Sequence, residues 1–204
     1  MARIEFHPLT PERWHDFETL FREGRGPLPP GEDLAGGGCW CMEFRLPPCE
    51  FRRGQGEPNR LAMKALVESG QVSGILAYVD GDPVGWCSVA PRDQCVGLDH
   101  CEALHRVDRE PVWSLVCFFV ARSHRGQGVM RSLLRAALSF AHAQGARILE
   151  AYPREQAVPD PSGASGYRGL VSTLQSMGFV EVVRRVPDEP ILRLDLATTG
   201  SPLR

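Results

Sequence analysis

Lysine is nearly absent from this 204-residue sequence: of its 23 basic residues only Lys64 is a lysine, so arginine carries almost all the positive charge. A Schiff-base mechanism, or the lysine of a nucleotide-binding phosphate loop, would therefore have to use Lys64. An excess of charge is also missing. The 23 basic and 25 acidic residues leave a formal net charge of −2, which gives no reason to expect DNA, RNA or an anionic membrane as partner. No apolar run reaches the roughly 20 residues that span a bilayer. Met1 to Thr10 lacks the basic start and apolar stretch of a secretory signal, so the expected location is the cytoplasm. Internal repeats and low-complexity tracts are absent as well.

Cysteine, by contrast, is present at seven positions: Cys39, Cys41, Cys49, Cys87, Cys95, Cys101 and Cys117. An odd number in a chain expected in the cytoplasm argues for reduced thiols rather than a disulfide framework. With 43% hydrophobic residues, the length suits one domain over residues 1–204 with a sizeable core.

Ala2 to Phe6 reads as a short strand. Thr10-Pro11-Glu12 supplies an N-cap, a first-turn proline and an acid at the positive helix end, and Trp14, Phe17, Leu20 and Phe21 follow at helical spacing. Gly24 to Gly38 and Pro47 to Pro58 read as irregular loops, with a short helix from about Asn59 to Ser69. Gly74–Val79 and Val84–Val89 flank Asp80-Gly81-Asp82-Pro83 and predict a hairpin. Arg92 to Arg109 has no clear pattern. Val112 to Val120 is apolar without alternation, as in a strand covered on both faces.

Gly128 to Gln144 carries the clearest helical stripe, with Met130, Leu133, Leu134, Ala137, Leu138 and Ala141 on one side and Gly145 as the stop. A strand over Arg147–Tyr152, a helix over Tyr167–Met177 and a hairpin of Phe179–Val186 with Ile191–Leu196 complete the pattern.

Chemistry concentrates between the Val112–Val120 strand and the helix that follows. The connection reads Arg122-Ser123-His124-Arg125-Gly126-Gln127-Gly128-Val129-Met130. Gly126 and Gly128 allow a tight turn with bare N–H groups, and the helix start adds unpaired amides and a positive dipole end. Such a place holds an anion, phosphate above all. A P-loop is excluded because Gly-Lys-Ser/Thr is missing. A Rossmann dinucleotide loop is the rival. Gly126 and Gly128 match its first two glycines, and Glu150 lies near the place of its ribose-binding acid, but its third glycine falls at Arg131.

Val120 to Leu134, with Arg125-Gly126-Gln127-Gly128-Val129-Met130 and Leu133-Leu134, resembles the acetyl-CoA motif of the GNAT N-acetyltransferases. Leu174-Gln175-Ser176-Met177-Gly178-Phe179 resembles that family's last helix and its exit. The Cys39-Trp40-Cys41 segment and Gly85-Trp86-Cys87 are similar to a bacterial subgroup of it. The resemblance implies the GNAT fold, a mixed α/β domain with a twisted sheet of six or seven strands flanked by helices. Acceptor-side elements would occupy about residues 1–110, and an acetyl-CoA-binding core about 112–196.

By the same resemblance, the amides of Arg125, Gly126, Gln127, Gly128 and Val129, with Met130 beside them, hold the pyrophosphate. The backbone of Phe118, Phe119 and Val120 pairs with the pantetheine arm. Ser123 stands where the family favours Gln or Arg. The frequent general-acid tyrosine maps to Leu174, which makes Tyr167, one helix face earlier, the substitute candidate. The expected activity is transfer of an acetyl group from acetyl-CoA to an amine on a small molecule or a protein.

Glu150, on the strand face shared with Ile148 and Tyr152, is the candidate to take the proton of that amine, directly or through water. Its blander alternative is a pairing with an arginine. A non-catalytic acyl-CoA-binding sensor or partner module is the second reading. Cys117 reads as a packed core thiol, since no base stands beside it. Cys39-Trp40-Cys41 with Cys49 lacks zinc-ligand spacing, so no metal is expected. Trp40, Trp86 and Trp113 read as core, and Arg92 as a solvated arginine after Pro91. Homodimer formation is open.

Overall fold

The computed structural model of the protein describes residues 3–23, 40–71, 74–155, 168–169 and 171–197. Seven strands join one sheet: β1 (Ile4–Pro8), β2 (Ile75–Val79), β3 (Asp82–Pro91), β4 (Trp113–Val120), β5 (Ile148–Ala151), β6 (Val180–Val186) and β7 (Glu189–Asp195). They hydrogen-bond in the order β1-β2-β3-β4-β5-β7-β6. Only β4 and β5 run parallel; every other neighbouring pair is antiparallel. The expected mixed α/β class is therefore present. A Rossmann unit needs successive parallel strands, and one parallel pair inside an otherwise antiparallel sheet removes that rival.

Among the described residues five helices flank the sheet: α1 (Trp14–Glu23), α2 (Pro48–Arg53), α3 (Glu57–Glu68), α4 (Val129–Ala143) and α5 (Val171–Ser176). The stripe expected on α4 is the buried one. Val129, Leu133, Leu134, Ala137, Leu138 and Ala141 pack against Ile75, Ala77, Cys87, Val89, Leu115, Phe118, Leu149 and Ala151. Gly85 lets this helix approach β3 closely, because a Cβ there would lie 2.7 Å from Leu133 Cδ1. Gly85→Ala is expected to cost about 1–3 kcal/mol through overpacking, read as a lower denaturant midpoint at unchanged slope.

The opposite face takes Phe17, Leu20 and Phe21 from α1 and Met63 and Val67 from α3, packed on Leu76, Tyr78, Trp86 and Cys117. Phe17 meets Trp86 edge-on at 5.0 Å, and Phe21 stacks on Trp40 at 5.7 Å. Trp40 and Trp86 are thus core residues, while Trp113 is half-buried and edge-on to Phe140.

One expectation needs correction. Pro47 to Pro58 is not an irregular loop, because it contains α2 and the start of α3. Pro48 falls in the first helical turn, where a missing N–H costs nothing, and Gly54 ends the helix. The patternless stretch after Pro91 folds into three short 3₁₀ turns, Arg92–Gln94, Val96–His100 and Glu102–Leu104. Their Cys95, Leu98, Ala103 and Leu104 form a third apolar cluster with Val116, Tyr152 and Ile191. Tyr167, Cys39 and the Gly24–Gly38 segment lie outside the described residues. Among those described, no helix is long and apolar enough to cross a membrane.

Candidate active site

The parallel partnership of β4 and β5 is short. Trp113, Ser114 and Leu115 pair with Leu149, Glu150 and Ala151, and the register ends there although β4 continues to Val120. On its other side β4 stays paired with β3 through Val120. The pairing passes from Val89↔Leu115 to Ser88↔Cys117, which leaves Val116 as an extra residue in β4. Such a bulge bends a strand and raises its local twist. It coincides with the point where β4 parts from β5. From Val116 to Val120 the β5-facing edge of β4 has no strand partner among the described residues.

Beyond this open edge the chain makes a 3₁₀ turn, Arg122–His124, and enters α4. Gly126 has φ 74° and Gly128 φ 81°, both in the left-handed region that favours glycine. Nothing lies within 4 Å of where a Cβ would stand at either, so the space above the turn is open. Gly128 is the N-cap of α4 and offers no side chain to its first amides. The amides of Gly126, Gln127 and Gly128 meet no backbone acceptor among the described residues, whereas that of Arg125 reaches the Arg122 carbonyl at 3.4 Å. The Arg125 side chain donates from Nε to the Val120 carbonyl at 3.1 Å, tying the turn to the end of β4. Met130, half-buried, packs against the α4 core.

Glu150 stands at the last paired positions of β5, facing away from α4. Its carboxylate is 1% exposed. Arg193, directly opposite on β7, donates from Nε to Oε2 at 2.6 Å, and the Tyr152 hydroxyl donates to Oε1 at 2.7 Å. Arg92 Nε lies 3.9 Å from Oε1. Tyr152 also shares a 2.8 Å hydrogen bond with the Ser114 hydroxyl on β4. Arg193 carries the network outward to Asp108 at 2.6 Å and 3.0 Å. The carboxylate therefore sits among arginines and hydroxyls, not apolar neighbours alone.

Burial, and next the Glu150 charge, push the Tyr152 phenol well above its ordinary range. It stays a protonated donor throughout the working pH range. A group whose folded pKa is raised contributes stability that is present below its unfolded value of about 10 and lost as pH rises beyond it. Tyr152→Phe should thus cost about 1–2 kcal/mol at neutral pH, by leaving Ser114 and Glu150 short of a partner. It should also flatten the alkaline fall of stability, which denaturant titration between neutral and strongly alkaline pH would measure.

Arg92 is the second correction. It is not solvated but 1% exposed, donating to the Cys95 and Leu104 carbonyls and to Asp99. Cys117 is buried, with its Sγ 3.5 Å from that of Cys41. Leu174 is fully buried in the α4 core. The sequence reading missed the buried roles of Arg193, Arg92, Tyr152 and Ser114. Two-residue alternation along β5 placed Tyr152 on the Glu150 face, but no local signal announces that β7 inserts between β5 and β6.

Solved structures share this fold. The PaiA N-acetyltransferase of Thermoplasma acidophilum, in complex with coenzyme A, is 12% identical with a TM-score of 0.52, covering 95% of this chain and 99% of that one. YncA of Salmonella typhimurium, with its cofactor acetyl-CoA, is 15% identical over 98% of each chain at a TM-score of 0.52. The polyamine N-acetyltransferase of Drosophila melanogaster is 12% identical over 95% of this chain and 100% of that one, at 0.54. No curated protein matches the chain in sequence. The sequence profile of the Acetyltransferase (GNAT) family matches residues 40–159, more than half of the chain, and the protein belongs to that family.

Proposed function

We propose that the protein transfers the acetyl group of acetyl-CoA directly to an amine, without a covalent enzyme intermediate. The observation that carries this reading is the juxtaposition of the bare amides of Gly126–Gly128 with the unpaired edge of β4. The first, with Arg125, Val129 and Met130 around it, suits a pyrophosphate at a helix start. The second, at Phe118, Phe119 and Val120, suits an extended pantetheine arm that hydrogen-bonds like an added strand. Together they set a thioester where β4 and β5 part, and the rate owes most to this positioning.

Acetyl transfer also needs the attacking amine to lose a proton. Glu150 and Tyr152 are both too buried to touch an amine, so in this reading the proton reaches them through water that enters with the acceptor. The amine gives its proton to that water, the water gives one to the phenol oxygen, and the phenol's own proton passes to Glu150. Tyr167 is the proposed donor to the departing thiolate, a role that Tyr167→Phe tests through kcat. Isothermal calorimetry with acetyl-CoA and thiol release across an amine panel test the reading together. Binding with release on at least one amine is expected, and no binding to the folded protein would overturn it.

Leu174, buried in the core at the position to which the GNAT resemblance assigns a general-acid tyrosine, favours a second reading. A module that binds acyl-CoA without turnover would give calorimetric binding and no thiol release with any amine.

A further inference from the structure

Buried arginines gather on the sheet face opposite α4, beside the point where β4 and β5 part. Arg92 is 1% exposed and Arg168 is 6% exposed. Both attach to Tyr152, the first residue beyond β5. The Arg92 guanidinium lies 5.9 Å from the Tyr152 ring centroid, and Arg168 donates from Nε to the Tyr152 carbonyl at 2.7 Å. Arg168 also pairs with Glu189 at 3.0 Å and lies over the Phe44 ring at 5.7 Å. The next residue, Gly169, borders β4, since a Cβ there would stand 3.5 Å from Phe118. Arg45, 5% exposed, reaches Gln94 at 3.4 Å and Ser88 at 3.5 Å, so it brings further positive charge to the same face.

Nη2 of Arg168 has no hydrogen-bond partner among the described residues, whereas Nε of Arg92 faces the Glu150 carboxylate at 3.9 Å. Buried polar groups are ordinarily bonded, and a charged one left unmade is costly. An arginine fork, unlike a lysine, matches the two oxygens of a carboxylate. The fork of Arg168 is half used on Glu189, and its Nη2 is buried without a partner while the guanidinium lies over the Phe44 ring. A group held there would stand next to the opening between β4 and β5.

We propose that these arginines form the acceptor-recognition site and that the acceptor is an amine bearing a carboxylate, of the amino-acid type. This rests on the acetyl-transfer reading above. Arg168 takes the carboxylate, while the amine of the same molecule reaches the thioester at the mouth of the β4–β5 opening. An acceptor without the anion leaves the Arg168 N–H unpaired, so selectivity arises as much from that cost as from the contact itself.

The test uses the full chain with acetyl-CoA and free amino acids, each compared with its carboxamide and its decarboxylated amine, and reads thiol release. At least one amino acid should show a kcat/KM about 100-fold above both of its neutralised counterparts. In Arg168→Lys, which keeps the charge but not the fork, KM for that amino acid should rise about 30-fold while acetyl-CoA affinity by calorimetry stays unchanged. Equal turnover of carboxamides and amino acids overturns the proposal and leaves acetyl transfer standing. Bound acetyl-CoA with no release on any acid overturns it too. Failure to bind acetyl-CoA at all strikes the transfer reading instead. The wild-type panel decides the matter even where the variant does not fold.

Discussion

Glu150→Gln is expected to lower the melting temperature by about 6–12 °C, the shift that a loss of about 3 kcal/mol produces in a chain of this size. The substitution barely changes shape, so the effect is electrostatic. A carboxylate that is 1% exposed holds Arg193 at 2.6 Å and lies 3.9 Å from Arg92, itself 1% exposed. Removing that charge leaves the Arg92 guanidinium with Asp99 as its nearest counter-charge, and Arg193 with Asp108. Breaking one side of a buried ion network costs more than the network contributes, because the surviving charge stays out of water. The same variant also examines the proton route. If Glu150 receives the amine proton through Tyr152, the folded fraction shows a lower kcat and an altered pH–rate profile. If its role is confined to holding β5 against β7, stability falls and the profile does not move. Thermal melts and pH–rate curves on one preparation separate these outcomes.

The second large effect concerns the cradle. Gly128→Val should weaken acetyl-CoA binding by about 100-fold, measured as a calorimetric Kd. Gly128 has φ 81°, where a β-branched side chain is strained by about 1–2 kcal/mol. The turn would relieve that strain by rotating, which swings the neighbouring amides away from a shared anion. Each such bond to a charged group is worth about 1.5–3 kcal/mol, so losing one or two gives the expected loss. Gly145 supplies the control. It has φ 87°, stands after the last turn of α4, and likewise has open space where a Cβ would go. Gly145→Val should cost similar stability and leave acetyl-CoA affinity intact.

Much of the fold is written in local pattern. The α4 stripe, the glycine turn before it and the continuous apolar run of β4 each depend on residues near one another in sequence, so periodicity and turn chemistry reveal them. The environment of Glu150 is not local. Arg193 reaches it because β7 returns between β5 and β6, and that strand order is decided by packing of the whole sheet. Arg92 misleads for a related reason. After a proline it reads as a surface turn, yet the following 3₁₀ turns fold back and surround it with the Cys95 and Leu104 carbonyls and Asp99. At Pro47–Pro58 the prolines and glycines looked like breakers, but they occupy the ends of two short helices, where their geometry is tolerated. The bulge at Val116 leaves no signature in composition, although it decides where β4 leaves its partner.

Amide hydrogen exchange of the full chain, with and without saturating acetyl-CoA, tests the central claim most directly. Slowed exchange at Gly126, Gln127, Gly128 and Val129, together with Phe118 to Val120, is the result expected. Tight binding with those amides unchanged and protection elsewhere would contradict it.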